Sequence, residues 1–285
     1  MIYNIRKKEQ LELFMVNLIN IFESFLIGIC IGSFINVVIY RLPNDISFIT
    51  PRSFCPKCKY KISWRENIPL VSWIIQKGKC NNCNQEISIR YPIIEFSTGI
   101  LFVLFKWASP YIFDSINYNF LETLFGWFFI SILFVISLID IKYFWIPQVL
   151  INFGFLSGLL NLLFIQIISN FKQVDLLINC TLTSLISFLL FELLRVSAKS
   201  FFKKDALGKG DSKLVSMMAL WLGTKGIIIS LGITYIFAAF CLLIAIKTKI
   251  IKRNQIIPFA PFLSFGGLVV WFFGNEFLIN NLLIF

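Results

Sequence analysis

From Val16 to Phe273 the chain is a succession of long apolar runs separated by short charged stretches. A helix needs roughly 20 apolar residues to cross about 30 Å of hydrocarbon. In lipid the backbone must satisfy its own hydrogen bonds, which a helix does within one segment. The alternating segments of roughly ten residues that mark a β-barrel are not evident. Only 14% of the residues are charged, against roughly a quarter in a soluble domain. These features predict an all-α polytopic membrane protein. About eight transmembrane helices are expected, over Val16–Tyr40, Ile93–Trp107, Leu121–Ile139, Gln148–Ile168, Val174–Leu194, Leu214–Leu222, Gly226–Ile246 and Ile257–Phe273. The sixth is short and needs its flanks to cross. The first lacks a small-residue cleavage site and reads as an anchor.

Lysine and arginine set the orientation, because short positive loops stay cytoplasmic. Twenty of the 26 basic residues fall on one side of this topology. They lie in the loop Arg41–Pro92, at Lys142, after the fifth span (Lys203 and Lys204 among them) and after the seventh (Lys252 and Arg253 among them). Both termini are then outside, although Arg6, Lys7 and Lys8 pull the other way. The net charge of +11 is mostly a topology signal, and no nucleic-acid partner is expected.

There is no histidine, so acid–base chemistry must use carboxylates, Lys, Tyr or Cys. Four of the seven cysteines, Cys55, Cys58, Cys80 and Cys83, form two C-x-x-C pairs in the first cytoplasmic loop. Two such turns supply a tetrahedral set of four thiolates for a structural zinc, with no open position. Disulfide or redox use is the alternative, disfavoured on a reducing face. The expectation is a small zinc-binding loop domain. Cys30, Cys180 and Cys241 lie in apolar runs and read as core residues.

Ionisable groups within spans are costly and mark candidate sites. They are Glu23, Glu95, Asp140, Glu192 and Asp211. Each has a structural reading: Glu192 pairs with Arg195, Glu95 with Arg90, Asp140 lies beside Lys142, and Asp211 caps a helix starting near Ser212 or Lys213. The topology nevertheless brings Asp140 and Asp211 to one face at one depth. Two carboxyls together in a partly dry site cannot both ionise easily, which leaves an acid beside a base. That pair can activate water and protonate a peptide leaving group.

Gly208-Lys209-Gly210-Asp211 resembles the GxGD signature of intramembrane aspartic proteases. Gly32-Ser33-Phe34-Ile35-Asn36 through Arg41-Leu42-Pro43 is similar to the opening motif of the type IV prepilin peptidases. The Cys pairs, Asn67-Ile68-Pro69-Leu70, Arg90-Tyr91-Pro92 with Glu95, and Asp140-Ile141-Lys142 with Ile146-Pro147 follow in family order. The resemblance implies an inner-membrane enzyme that cleaves the basic leader of prepilins or pseudopilins. It also implies N-methylation of the new terminal residue with S-adenosylmethionine. Asp140 and Asp211 would be catalytic. Residues 1–107 would form the anchor and methyltransferase-associated half, and residues 108–285 a six-helix peptidase domain. Gln148 stands where many members have Asp, which leaves Asp140 the only acid of its block. No Rossmann-type nucleotide motif appears, so methyl transfer rests on the resemblance, with Arg90 and Glu95 the first residues to test. Two readings compete: a peptidase that does not methylate, and a zinc-bearing membrane scaffold or transporter.

Overall fold

A computed structural model describes residues 2–112, 120–202, 208–249 and 257–282. Lys203, Lys204, Lys252 and Arg253 lie outside the described residues, and the side chains of Arg6, Lys7 and Lys8 are likewise outside them. The described chain contains helices and no strands. They are α1 (Ile2–Arg41), α2 (Val71–Ile75), α3 (Arg90–Ile112), α4 (Phe120–Tyr143), α5 (Gln148–Ile168), α6 (Val174–Phe202), α7 (Lys209–Lys247), α8 (Ala260–Phe273) and α9 (Asn275–Leu282). The chain divides into two compact units, Met1–Phe113 and Asp114–Phe285.

In the N-terminal unit α1 and α3 pack at close range through glycines. A Cβ on Gly28 would stand 2.6 Å from the Gly99 Cα, and one on Gly32 2.6 Å from the Glu95 Cα. Gly28 and Gly32 form a G-x-x-x-G face, which lets backbones approach where lipid offers no hydrophobic drive to pack. Gly32→Val is expected to force the helices apart, at a cost of about 1–3 kcal/mol or more. Thermal unfolding in detergent measures it, and an unchanged midpoint would discount this contact. Between the helices, the Arg41 guanidinium donates to the carbonyls of Ser47, Phe48, Pro51 and Arg52 at 2.6–3.3 Å. Arg41 is therefore an internal clamp on the loop, as well as a basic residue on that side.

The C-terminal unit is organised around the first arm of α7. Residues from Asp211 to Leu222 are almost all buried, so this arm faces protein all round. That is why this arm, residues 209–222 and so 14 residues, about 21 Å long, serves here although it is shorter than the hydrocarbon. Its neighbours show the opposite pattern, with Leu182, Leu185, Ile186, Leu189 and Leu193 of α6 exposed to the surroundings. On α5, Gly154 and Gly158 admit Met217 and Trp221, and the Trp221 indole donates to the Gly154 carbonyl at 3.0 Å.

Six described helices are long and apolar enough to cross a membrane, or seven if α8 and α9, bent by 94°, make one span. One of the six, α7, has 39 residues and breaks at Gly223, whose φ of 66° and ψ of −176° suit glycine almost alone. The expected sixth and seventh spans are its two arms. Along the first arm, Met218 meets Gly267 and Trp221 meets Trp271, in step with α8. Along the second, Gly226 meets Asn275, Thr234 meets Gly266 and Tyr235 meets Phe259, in the reverse order. The chain therefore doubles back at Gly223, and each arm has its own direction. The expected eighth span, Ile257–Phe273, is helical only from Ala260.

Candidate functional site

Asp140 lies in the last turn of α4 and Asp211 in the first turn of α7. They are 6% and 8% exposed. The Asp140 carboxylate accepts the Ala260 N–H at 3.1 Å, at the start of α8. The positive end of that helix favours a carboxylate there. The Asp211 carboxylate accepts the Gly208 N–H at 3.1 Å, while the Asp211 N–H donates to the Gly208 carbonyl at 3.2 Å. Gly208 is thus the cap residue, α7 starts at Lys209, and Asp211 sits three residues in. This corrects the reading of Asp211 as a cap for a helix starting near Ser212 or Lys213. The two carboxylates lie close enough to interact electrostatically.

The glycines of the GxGD segment explain the approach. A Cβ on Gly210 would stand 2.8 Å from the Ile146 Cβ. Gly210 therefore lets the start of α7 press on the turn that follows Asp140. The same end of the unit carries the Lys213 ammonium bonded to Gln148. Tyr235 on the second arm of α7 packs at 6.0 Å against the Phe259 ring and lies within electrostatic reach of Asp211. Sequence reasoning overlooked Tyr235 because its neighbourhood depends on the reversal at Gly223.

Of the remaining acids, Glu23 is exposed, and Glu192 and Glu95 have other partners. Lys142 donates to Tyr143 at 2.8 Å. Glu192 accepts from Arg195, as expected, and also from the Ser212 hydroxyl at 3.2 Å. Partly exposed pairs contribute little. Glu192→Gln keeps an acceptor for Ser212, so peptide-cleavage rate is expected to stay within a few-fold of wild type; complete loss would give Glu192 a part in the chemistry. Glu95 accepts the Leu70 N–H at 2.7 Å, which replaces the expected pairing with Arg90.

In the N-terminal unit the four loop thiols converge. The sulfurs of Cys55, Cys58, Cys80 and Cys83 all lie within 4.8 Å of one another, with Cys55 and Cys83 at 3.9 Å. A tetrahedral site with Zn–S bonds of about 2.3 Å places its sulfurs about 3.8 Å apart. The two turns match. Cys55 N–H donates to Tyr60 and Lys59 N–H to Cys55, and Cys80 N–H donates to Gln85 and Asn84 N–H to Cys80, all at 2.9 Å. The Tyr60 N–H and the Asn82 side chain hold the Cys58 thiol down at about 6. Cys80 is lowered as well, by the Cys83 and Asn82 backbones. At Cys83 the Gln85 N–H pulls the same way, but desolvation and the other thiols outweigh it and push the group up to about 11. Four thiolates at this range repel, and a divalent cation among them relieves the repulsion. Cys180 is a buried core residue as expected, whereas Cys30 is exposed.

Together these features define a polytopic helical membrane protein with a buried carboxylate pair at one end of its C-terminal bundle and a metal-competent thiol cluster in its N-terminal unit. The family model for the bacterial peptidase A24 N-terminal domain matches residues 26–109, and that for the type IV leader peptidase family matches residues 127–246. The chain is 33% identical over 261 residues to the type 4 prepilin-like proteins leader peptide-processing enzyme of Escherichia coli, covering 85% of this chain and 89% of that protein. It is 30% identical over 277 residues to the prepilin leader peptidase/N-methyltransferase of Legionella pneumophila, covering 89% and 91%. With the protein of that name from Myxococcus xanthus it shares 32% identity over 208 residues, 72% of this chain and 56% of that one. No solved structure matches. The chain belongs to the type IV leader peptidase family.

Proposed function

We propose that this chain is an inner-membrane enzyme that cleaves the leader of type IV prepilins or pseudopilins and N-methylates the new terminus. The observation that carries the peptidase reading is the pair Asp140 and Asp211: both buried, brought to the same end of the bundle by the approach of Gly210 to Ile146, and each steadied by a backbone N–H. One carboxylate takes a proton from water as its oxygen adds to the scissile carbonyl. The other gives its proton to the departing amine as the C–N bond breaks. The products are a leader carboxylate and a free terminal amine. The active face is cytoplasmic, where a basic leader meets anionic headgroups.

The relatives named N-methyltransferases support the second activity. S-adenosylmethionine supplies the methyl group when bound. Cys55, Cys58, Cys80 and Cys83 hold a structural zinc that orders a loop with little core of its own. Co-expression with a candidate prepilin tests the whole reading in one mass spectrum. Loss of the leader together with one added methyl group is the expected result. An unprocessed prepilin would refute the peptidase, and cleavage without methylation would refute the second activity.

A further inference from the structure

The N-terminal unit encloses a cavity of about 380 Å³, within the range of about 300–1,000 Å³ usual for small-molecule sites. Asn36 of α1 and Glu95 of α3 line it from facing helices. Asn36 is 3% exposed. Its amide NH2 donates to the Tyr91 carbonyl at 3.1 Å, and its Oδ1 is buried with no partner among the described residues. An unpartnered buried acceptor is costly and calls for a donor. Glu95 is 7% exposed, and one of its oxygens accepts the Leu70 N–H. No cation pairs with it among the described residues. Of the cations in the lining, Arg41 donates to four backbone carbonyls and Lys57 to the Gln85 side chain.

Two acceptors thus face a cavity that also presents Tyr40, Tyr91 and Trp73. Three carboxylates line it, Glu66, Glu86 and Glu95, against two cations, Arg41 and Lys57, and the Lys57 ammonium is bonded to Gln85. In a chain of net charge +11 this is a small local excess of negative charge. It suits a ligand that is cationic, rich in hydrogen-bond donors and partly aromatic. A carboxylate and ring faces both favour a sulfonium or ammonium centre.

We infer that this cavity is the binding site of the methyl donor, S-adenosylmethionine, with Glu95 facing its cationic end and Asn36 Oδ1 taking one of its N–H or O–H donors. The inference rests on the methyltransferase reading and gives it a place in the chain. Arg90, expected alongside Glu95, does not line the cavity.

The test uses the full chain in detergent and three probes: S-adenosylmethionine, the neutral product S-adenosylhomocysteine, and a short peptide beginning with Phe. Binding is followed by calorimetry for wild type, Glu95→Gln and Asn36→Leu. Glu95→Gln retains an acceptor for Leu70, and loop metal content with the unfolding midpoint reports folding. Glu95→Gln is expected to weaken S-adenosylmethionine at least tenfold and S-adenosylhomocysteine much less, because only the former carries the sulfonium charge. Asn36→Leu is expected to weaken both. Equal weakening of the two probes by Glu95→Gln would overturn the role of its charge. Unchanged binding in both variants would put the donor elsewhere, and an effect confined to the Phe peptide would reassign the cavity to the acceptor. Wild type that neither binds nor transfers the methyl group would instead refute the methyltransferase reading itself.

Discussion

Asp140→Asn and Asp211→Asn are each expected to lower prepilin cleavage by about 10²–10⁴-fold or more, the range for removing a positioned acid or base. Asparagine keeps a side-chain oxygen of the same reach. The bonds from Ala260 N–H to position 140 and from Gly208 N–H to position 211 can therefore persist. What is lost is the exchangeable proton of the pair. The two variants separate chemistry from folding, which alanine does less cleanly because it also vacates two helix starts, at about 0.5–2 kcal/mol each. Initial cleavage rates on a purified prepilin, compared at equal amounts of folded protein, are the measurement. Full activity in either single variant would sink the dyad. The effects should not add, since either loss alone disables the pair.

Cys→Ser at position 55, 58, 80 or 83 is expected to release the bound metal and unfold the loop around it. Structural zinc in small domains contributes about 10–16 kcal/mol of apparent binding energy, which is also folding energy. Beyond the metal, this loop is held by the Arg41 clamp, two short turns, the single-turn helix α2 and a few side-chain bonds such as Trp73 to the Ile87 carbonyl and Asn81 to Glu66. The metal is measured by elemental analysis and the loop by protease sensitivity between Asn44 and Ser88. Zinc absent from wild type would remove the assignment. The thiols also give the reaction a proton signature. Within the cluster Cys58 is held down at about 6 and Cys83 is pushed up to about 11. Metal ligation requires thiolates, so binding zinc at neutral pH should release protons from the cluster as a whole, measurable in weak buffer, and lowering the pH should drive the metal off.

How much of this was legible varied with the range of the interactions involved. The C-x-x-C turns are local, and four ligand sulfurs need only two of them, so Cys55, Cys58, Cys80 and Cys83 could be grouped before any fold was known. The acids were harder. Taken singly, Asp140 and Asp211 had structural readings, and it was the topology of basic residues that brought them to one face. Asn36 also stood in view as an amide inside an apolar run, but within the opening motif it carried no separate meaning. The G-x-x-x-G spacings at Gly28 and Gly32, and at Gly154 and Gly158, are a packing signal readable in the sequence.

The run lengths and their charge boundaries established a helical membrane protein without reference to any fold, because bilayer thickness and backbone hydrogen bonding leave few other choices. They did not establish direction within α7. Gly223 looks like any glycine in an apolar run, and its left-handed φ follows from α8, which Met218 joins from one side and Thr234 from the other. Nor does any local pattern say that Ala260 N–H meets Asp140, 120 residues away, or that Asn36 shares a cavity with Glu95. Those meetings depend on which helices pack together. Side-chain volume and glycine gaps across the whole unit set that packing, and hydropathy does not encode them.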